Sequence, residues 1–112
     1  MELHNYQSST GRDLIMEYLN SLPEDECLDG LSVMEHMKKN EFNKILFKNW
    51  HKKIYEVYFK KHNRIFYITV DSKNIYVLHA CRKQKNKTEK KDSDIVKKRA
   101  KELGNLLGLK FI

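Results

Sequence analysis

Proline occurs once and glycine four times in 112 residues. A chain so poor in both is neither a flexible linker nor a low-complexity segment. Cys27 and Cys81 are isolated from each other and lack any metal-ligand spacing. A disulfide scaffold is therefore excluded, and a reducing, cytoplasmic location is expected. The opening stretch, "MELHNYQSSTGRD", has no apolar segment of signal-peptide type, and no apolar run of about eighteen residues occurs anywhere. Neither secretion by a signal peptide nor a membrane span is expected. Catalytic signatures are missing too: no phosphate-binding glycine loop, no dinucleotide fingerprint, no HExxH and no paired CxxC. The five histidines, His4, His36, His51, His62 and His79, share no ligand spacing with the cysteines. Neither a metal nor a cofactor is expected.

What the chain does hold is charge, unevenly spread. Lys and Arg number 22 against 15 Asp and Glu, a net +7. Residues 1–40 carry three Lys/Arg (Arg12, Lys38, Lys39) and eight Asp/Glu, a net −5. Residues 41–112 carry nineteen and seven, a net +12. A basic half of this size suits a polyanionic partner, nucleic acid first. A membrane surface suits it less, because the basic residues do not lie on one long amphipathic helix. The length fits a single domain, residues 1–112.

Patterning divides the chain in the same place. "ELHNYQ" (2–7) reads as a short first strand. Leu14, Ile15, Tyr18, Leu19 and Leu22 share one helical face over 11–22. Pro23 ends that helix and opens a second, with Glu24, Asp25 and Glu26 near its N-terminus and Leu28, Leu31, Met34 and Met37 continuing to about residue 40. Gly30 weakens the second helix. "NKILFKNW" (43–50) is a strand or an irregular segment. "KIYEVYFK" (53–60) alternates, with Tyr55, Val57 and Phe59 on one side and Ile54, Glu56, Tyr58 and Lys60 on the other. "RIFYITV" (64–70) and "IYVLHAC" (75–81) follow as strands between turns at 61–63 and 71–74. Asp92, Ser93 or Asp94 caps a last helix whose stripe is Val96, Ala100, Leu103 and Leu107. The expected class is α+β, with helices on one face of a small antiparallel sheet.

The open face of such a sheet would gather Glu56, Tyr58 and Lys60 from one strand and Arg64 from the next. Lys83, Lys85 and Lys87 follow the third strand at alternate positions and extend the cluster. An arginine held on a strand grips phosphate in two places. RNA carries its own nucleophile, the 2′-OH. Cleavage therefore needs only a base, an acid and cations to stabilise the phosphorane, which Lys, Arg, Tyr, Glu and His can supply. Each residue also has a plainer reading: Arg64 as a turn charge, Glu56 and Lys60 as solvated neighbours, Tyr58 as edge packing, His79 as a hydrogen-bonded core histidine. Register decides between them. A two-residue turn at 61–62 puts Arg64 with Phe59; a three-residue loop at 61–63 puts it with Tyr58 and Lys60.

In order and spacing, five segments resemble the RelE/ParE superfamily of bacterial toxins, and within it the HigB-like, phage-derived branch. They are "STGRDLIMEYLNSLP" (9–23), "IYEVYF" (54–59), "NRIFYI" (63–68), "VLHACRKQKNKT" (77–88) and "DIVKKRAKEL" (94–103). The resemblance implies two N-terminal helices and one C-terminal helix on a twisted antiparallel sheet. It also implies a toxin of a type II toxin–antitoxin pair that acts as a metal-independent, ribosome-dependent mRNA endoribonuclease. Its partner would be a helix-turn-helix, HigA-like antitoxin. ParE-like relatives instead poison DNA gyrase, and a non-catalytic nucleic-acid-binding module is a third reading. Carried over by position, Arg64 matches the arginine linked to transition-state stabilisation, Glu56 the strand glutamate and His79 the strand histidine. Lys83, Lys87 and Thr88 match the basic loop. Tyr58 replaces an arginine of the pattern, Cys81 a phenylalanine, Lys85 a threonine and Glu89 a proline. The expected catalytic set is Arg64, Tyr58, Glu56 and His79, with Lys60, Lys83, Lys85 and Lys87 holding RNA. The acidic first two helices, with Glu24, Asp25 and Glu26, are expected to form either an antitoxin-docking surface or simply the solvent side.

Overall fold

A computed structural model describes residues 1–83 and 88–112. Its elements are β1 (Glu2–Asn5), α1 (Leu14–Asn20), α2 (Glu24–Lys38), a short 3₁₀ turn (Phe42–Lys44), β2 (Leu46–His51), β3 (Ile54–Phe59), β4 (Asn63–Thr69), β5 (Asn74–Arg82) and α3 (Lys90–Leu107). Local chemistry accounts for the helix ends. The Asp13 carboxylate accepts from the Ile15 and Met16 amides, at 3.1 and 2.9 Å, so α1 starts at Leu14, three residues later than the periodicity alone places it. Gly30 does not break α2. A Cβ there would lie 2.7 Å from Leu19 and 2.9 Å from Phe59, so its absence lets α2 approach α1 and β3.

The five strands form one sheet in the order β1-β5-β4-β3-β2. Strands β2 to β5 are an antiparallel meander, as the turn signals require. β1 corrects the expectation of a purely antiparallel sheet: it pairs parallel to β5, Leu3 opposite Ile75. Two helices intervene between β1 and the meander, which is the kind of long connection a strand needs to join a sheet in parallel.

The helices do not share one face, and this is a second correction. Ile15 and Leu19 of α1 and Val33, Met34 and Met37 of α2 pack on Val57, Phe59, Ile65, Tyr67, Ile75 and Val77. Val96, Ala100 and Leu103 of α3 pack on the other side, against Ile54, Phe66, Ile68, Leu78 and Cys81. The reason lies in β4. Ile65 and Tyr67 point to one layer, Phe66 and Ile68 to the other, and all four are buried. A strand apolar on both faces must be covered on both. At about 1.5–3 kcal/mol for each large side chain taken fully out of water, β4 alone accounts for a substantial share of the gross driving force. A bulge between β4 and β5, where Phe66 faces His79 and Tyr67 faces Val77, leaves Leu78 over and presents Leu78 and His79 in succession to α3.

Candidate active site

The hairpin joining β3 and β4 closes on Phe59 opposite Asn63, so its loop is Lys60, Lys61 and His62. Three loop residues, one position earlier than the sequence allowed for, place Arg64 directly opposite Tyr58. Both therefore share the face of Glu56, beyond the edge of the cover that α3 provides over Ile54 and Phe66. On the far side, Lys48 of β2 lies opposite Glu56.

These side chains form one connected group. The Glu56 side chain is fully buried, and Arg64 Nη1 donates to its Oε1 at 2.8 Å. Tyr58 Oη donates to the same oxygen at 2.6 Å. The Arg64 guanidinium stacks 3.8 Å above the Tyr58 ring. Lys48 Nζ stands 3.7 Å from Glu56 Oε1 and 5.5 Å from the centre of the Tyr58 ring. Lys83 closes the group from the end of β5: nearly buried, its ammonium is pushed below the usual lysine value by burial first and by Arg64 second. Tyr58 is pushed up, by burial and by the bond to Glu56. Three cations against one carboxylate leave the group net positive. Among the described residues, two of its buried atoms, Glu56 Oε2 and Arg64 Nε, have no hydrogen-bond partner. Buried polar atoms normally find a partner in protein, water or a ligand.

Lys60 and His79, also expected at the site, lie elsewhere. Lys60 sits in the loop and turns to α2: its amide donates to Asp29 at 2.9 Å and its Nζ pairs with Asp25 at 3.0 Å. Lys85 and Lys87 lie outside the described residues. His79 is beneath α3. Its Nε2 is 2.8 Å from Asp92 Oδ1, and Arg99 Nη1 approaches its Nδ1 at 3.4 Å while donating to the Leu78 carbonyl at 2.9 Å. A guanidinium can only donate, so Nδ1 accepts and the proton sits on Nε2, aimed at Asp92. Burial depresses the His79 pKa, against the pull of Asp92. Cys81 lies beside this pair, and the three donor atoms of His79, Cys81 and Asp92 fall within 4.8 Å of one another. The trio is a poor metal cage: Nε2 is spent on its proton, Arg99 backs the ring, and burial lifts the Cys81 thiol to about 12.

Sequence reasoning missed Lys48. The segment 43–50 stayed ambiguous, and a regular hairpin closed at His51 and Ile54 would set Asn49, not Lys48, across from Glu56; the bulge between Asn49 and His51 shifts the register by one and brings Lys48 there. Of the acidic trio at the start of α2, Glu24 is exposed, Asp25 is tied to Lys60 and Glu26 is buried. A cavity of about 560 Å³ lies remote from the cluster, between β1, β5 and α3, and is lined by Tyr6, Tyr76, Arg99 and Glu102 among others. Its polar groups largely satisfy one another: Arg99 stacks on Tyr6, which donates to Glu102. No described helix is long and apolar enough to cross a membrane.

Comparison with family models matches residues 17–101, about three quarters of the chain, to the phage-derived proteins described as Gp49-like. The chain belongs to the Gp49-like family. That family is one of RelE-like toxins of toxin–antitoxin systems, so an antitoxin partner is implied. The matched stretch of this Gp49-like protein runs from α1 into α3 and contains Lys48, Glu56, Tyr58, Arg64 and Lys83. No curated protein matches the chain.

Proposed function

We propose that this Gp49-like toxin is a HigB-like endoribonuclease that cleaves mRNA on the ribosome in the cytoplasm, with the RNA 2′-OH as nucleophile. The observation that carries this reading is the cationic cluster on one fully buried carboxylate: Arg64 and Tyr58 both bonded to Glu56, Lys48 beside it and Lys83 at the end of β5. Three cations outnumber the one carboxylate, and the surplus positive charge suits a phosphodiester.

In the proposed reaction Lys48 and Lys83 grip the backbone phosphate, with Lys85 and Lys87 extending the hold. Arg64 commits Nη1 to Glu56 and offers the rest of its fork to the equatorial oxygens as charge builds. Tyr58 Oη takes the 2′-OH proton while passing its own along the 2.6 Å bond to Glu56, so the buried carboxylate acts through the phenol. The 2′-oxygen attacks phosphorus and the bond to the 5′-oxygen breaks. Lys83, whose lowered pKa makes it the readier acid, protonates the leaving oxygen. The products are a 2′,3′-cyclic phosphate and a 5′-OH. Positive charge comes from the side chains, so the scheme uses no metal. His79, occupied by Asp92 and Arg99, is left to fasten α3 to β5.

The antitoxin is proposed to be helix-turn-helix and HigA-like. Glu24, Leu28, Leu31 and Glu35 form an exposed stripe on α2, at positions i, i+4, i+7 and i+11, on the side away from the cationic cluster. It suits a partner segment that carries an apolar strip with basic flanks.

Primer extension on mRNA bound to programmed ribosomes tests the reading. Discrete cuts with cyclic-phosphate ends are expected from the wild type and none from Arg64→Ala. Intact mRNA alongside broken DNA in intoxicated cells would mark a gyrase poison instead. Salt-sensitive RNA binding without cleavage would mark a binding module.

A further inference from the structure

The loop that sets the register of the site is conformationally awkward. Lys61 and His62, consecutive and neither of them glycine, have φ of 64° and 66°. Side chains disfavour that left-handed region, and it persists only when surroundings enforce it. A slip of one residue would turn Arg64 to the opposite face.

What enforces it comes from α2. Glu26, 5 % exposed, reaches through the packed layer and accepts from Asn63 Nδ2 at 2.8 Å. The same Oε1 accepts from Arg82 Nη2. Asn63 is fully buried, donates also to the Lys60 carbonyl at 2.6 Å and accepts from Tyr18 Oη. Asn63 and Arg82 are cross-strand partners at the mouth of the β4–β5 pair. Each immediately precedes a cation of the cluster, Arg64 and Lys83. The Lys83 amide in turn donates to the His62 carbonyl at 2.8 Å. Asp29 holds the first loop residue by its amide. One buried carboxylate on the helical side thus grips the sheet by the two residues whose neighbours project into the site.

We infer that Glu26 is a positioning residue for the proposed cleavage: through Asn63 and Arg82 it fixes the register and separation of Arg64 and Lys83 without touching RNA. The inference rests on the ribonuclease reading of the cluster. It extends the site to a helix on the far side of the sheet, and it gives the early acidic residues a task other than antitoxin docking.

The test compares Glu26→Gln, which keeps an acceptor for Asn63 but loses the charge facing Arg82, with Glu26→Ala, which loses both. Single-turnover cleavage on programmed ribosomes gives rate and half-saturation separately, and circular dichroism melting gives folding. Misplacement of a catalytic group by about 1 Å can cost about 100-fold in rate. Glu26→Gln is expected to lose about tenfold and Glu26→Ala more, at half-saturation close to that of the wild type. In an Arg64→Lys background, Glu26→Gln should add little, because the two act in one chain. A folded Glu26→Gln protein that cleaves at the wild-type rate overturns the inference, as does a full additive loss beside Arg64→Lys. An NMR measurement keeps this apart from the ribonuclease reading itself. Cross-strand contacts between Tyr58 and Arg64 should weaken in Glu26→Gln even if no variant, wild type included, cuts RNA. Their survival unchanged would refute the clamp on its own terms.

Discussion

At the scale of the residue, the decisive fact is that Glu56 has no solvent of its own. A carboxylate in that position depends on Arg64 for its charge balance. Removing one member of a buried pair typically costs about 3–5 kcal/mol, so Arg64→Ala should lower stability as well as abolish cleavage. Lys48, at 3.7 Å, softens the loss. Chemical denaturation of Arg64→Ala beside Arg64→Lys checks this, the lysine variant being expected to keep most of the stability. His79 gives a prediction of different sign. Its folded pKa lies below the ordinary 6.5 because burial outweighs Asp92. Between the two values the unfolded chain binds more protons than the folded one, so stability falls as pH drops through that window. The melting temperature should decline between about pH 7 and 5 more steeply in the wild type than in His79→Gln.

At the scale of the element, α2 shows how one residue can carry a packing decision. Adding a methyl at Gly30 brings about 1 kcal/mol of helix propensity. It also forces contacts of 2.7 and 2.9 Å on Leu19 and Phe59. Overpacking of this kind costs about 1–3 kcal/mol, so Gly30→Ala is expected to be neutral to destabilising, and never stabilising, in thermal melts. The meander and α3 were legible because each has a strong period: alternation in "KIYEVYFK", a clean helical stripe at Val96, Ala100 and Leu103. The seat of β1 and the role of Lys48 were not, and the side taken by α3 was legible but overlooked. The parallel seat of β1 depends on where a chain returns after two helices, which no local pattern encodes. The side taken by α3 was written in "RIFYITV", whose unbroken apolar run asks for cover on both faces. Lys48 was hidden for a related reason, since its neighbours alone do not settle a strand. Arg64 and Tyr58 were visible as chemistry, but only the three-residue loop brought them to one face.

At the scale of the whole molecule, the uneven charge of the sequence becomes a two-sided body. The acidic helices cover one layer, while Lys48, Arg64 and Lys83 gather on the other. In the proposed function, such polarity would let one face meet RNA while the opposite face meets the antitoxin. Charge reversal at Glu24 and Glu35, both exposed on α2, should weaken antitoxin binding in calorimetric titration and leave mRNA cleavage intact. An unchanged affinity would move the docking surface elsewhere. Reversal at Glu26 is not equivalent, because that carboxylate is internal.

The placement of β4 has one more consequence. It is the middle of five strands and is roofed on both sides, so its amides should be the last in the protein to trade hydrogen for deuterium. Arg64 is carried on that slowest-opening strand. Under the proposed ribonuclease reading, the protein would keep its guanidinium seated while less covered elements open, and would meet RNA with its cationic cluster already assembled.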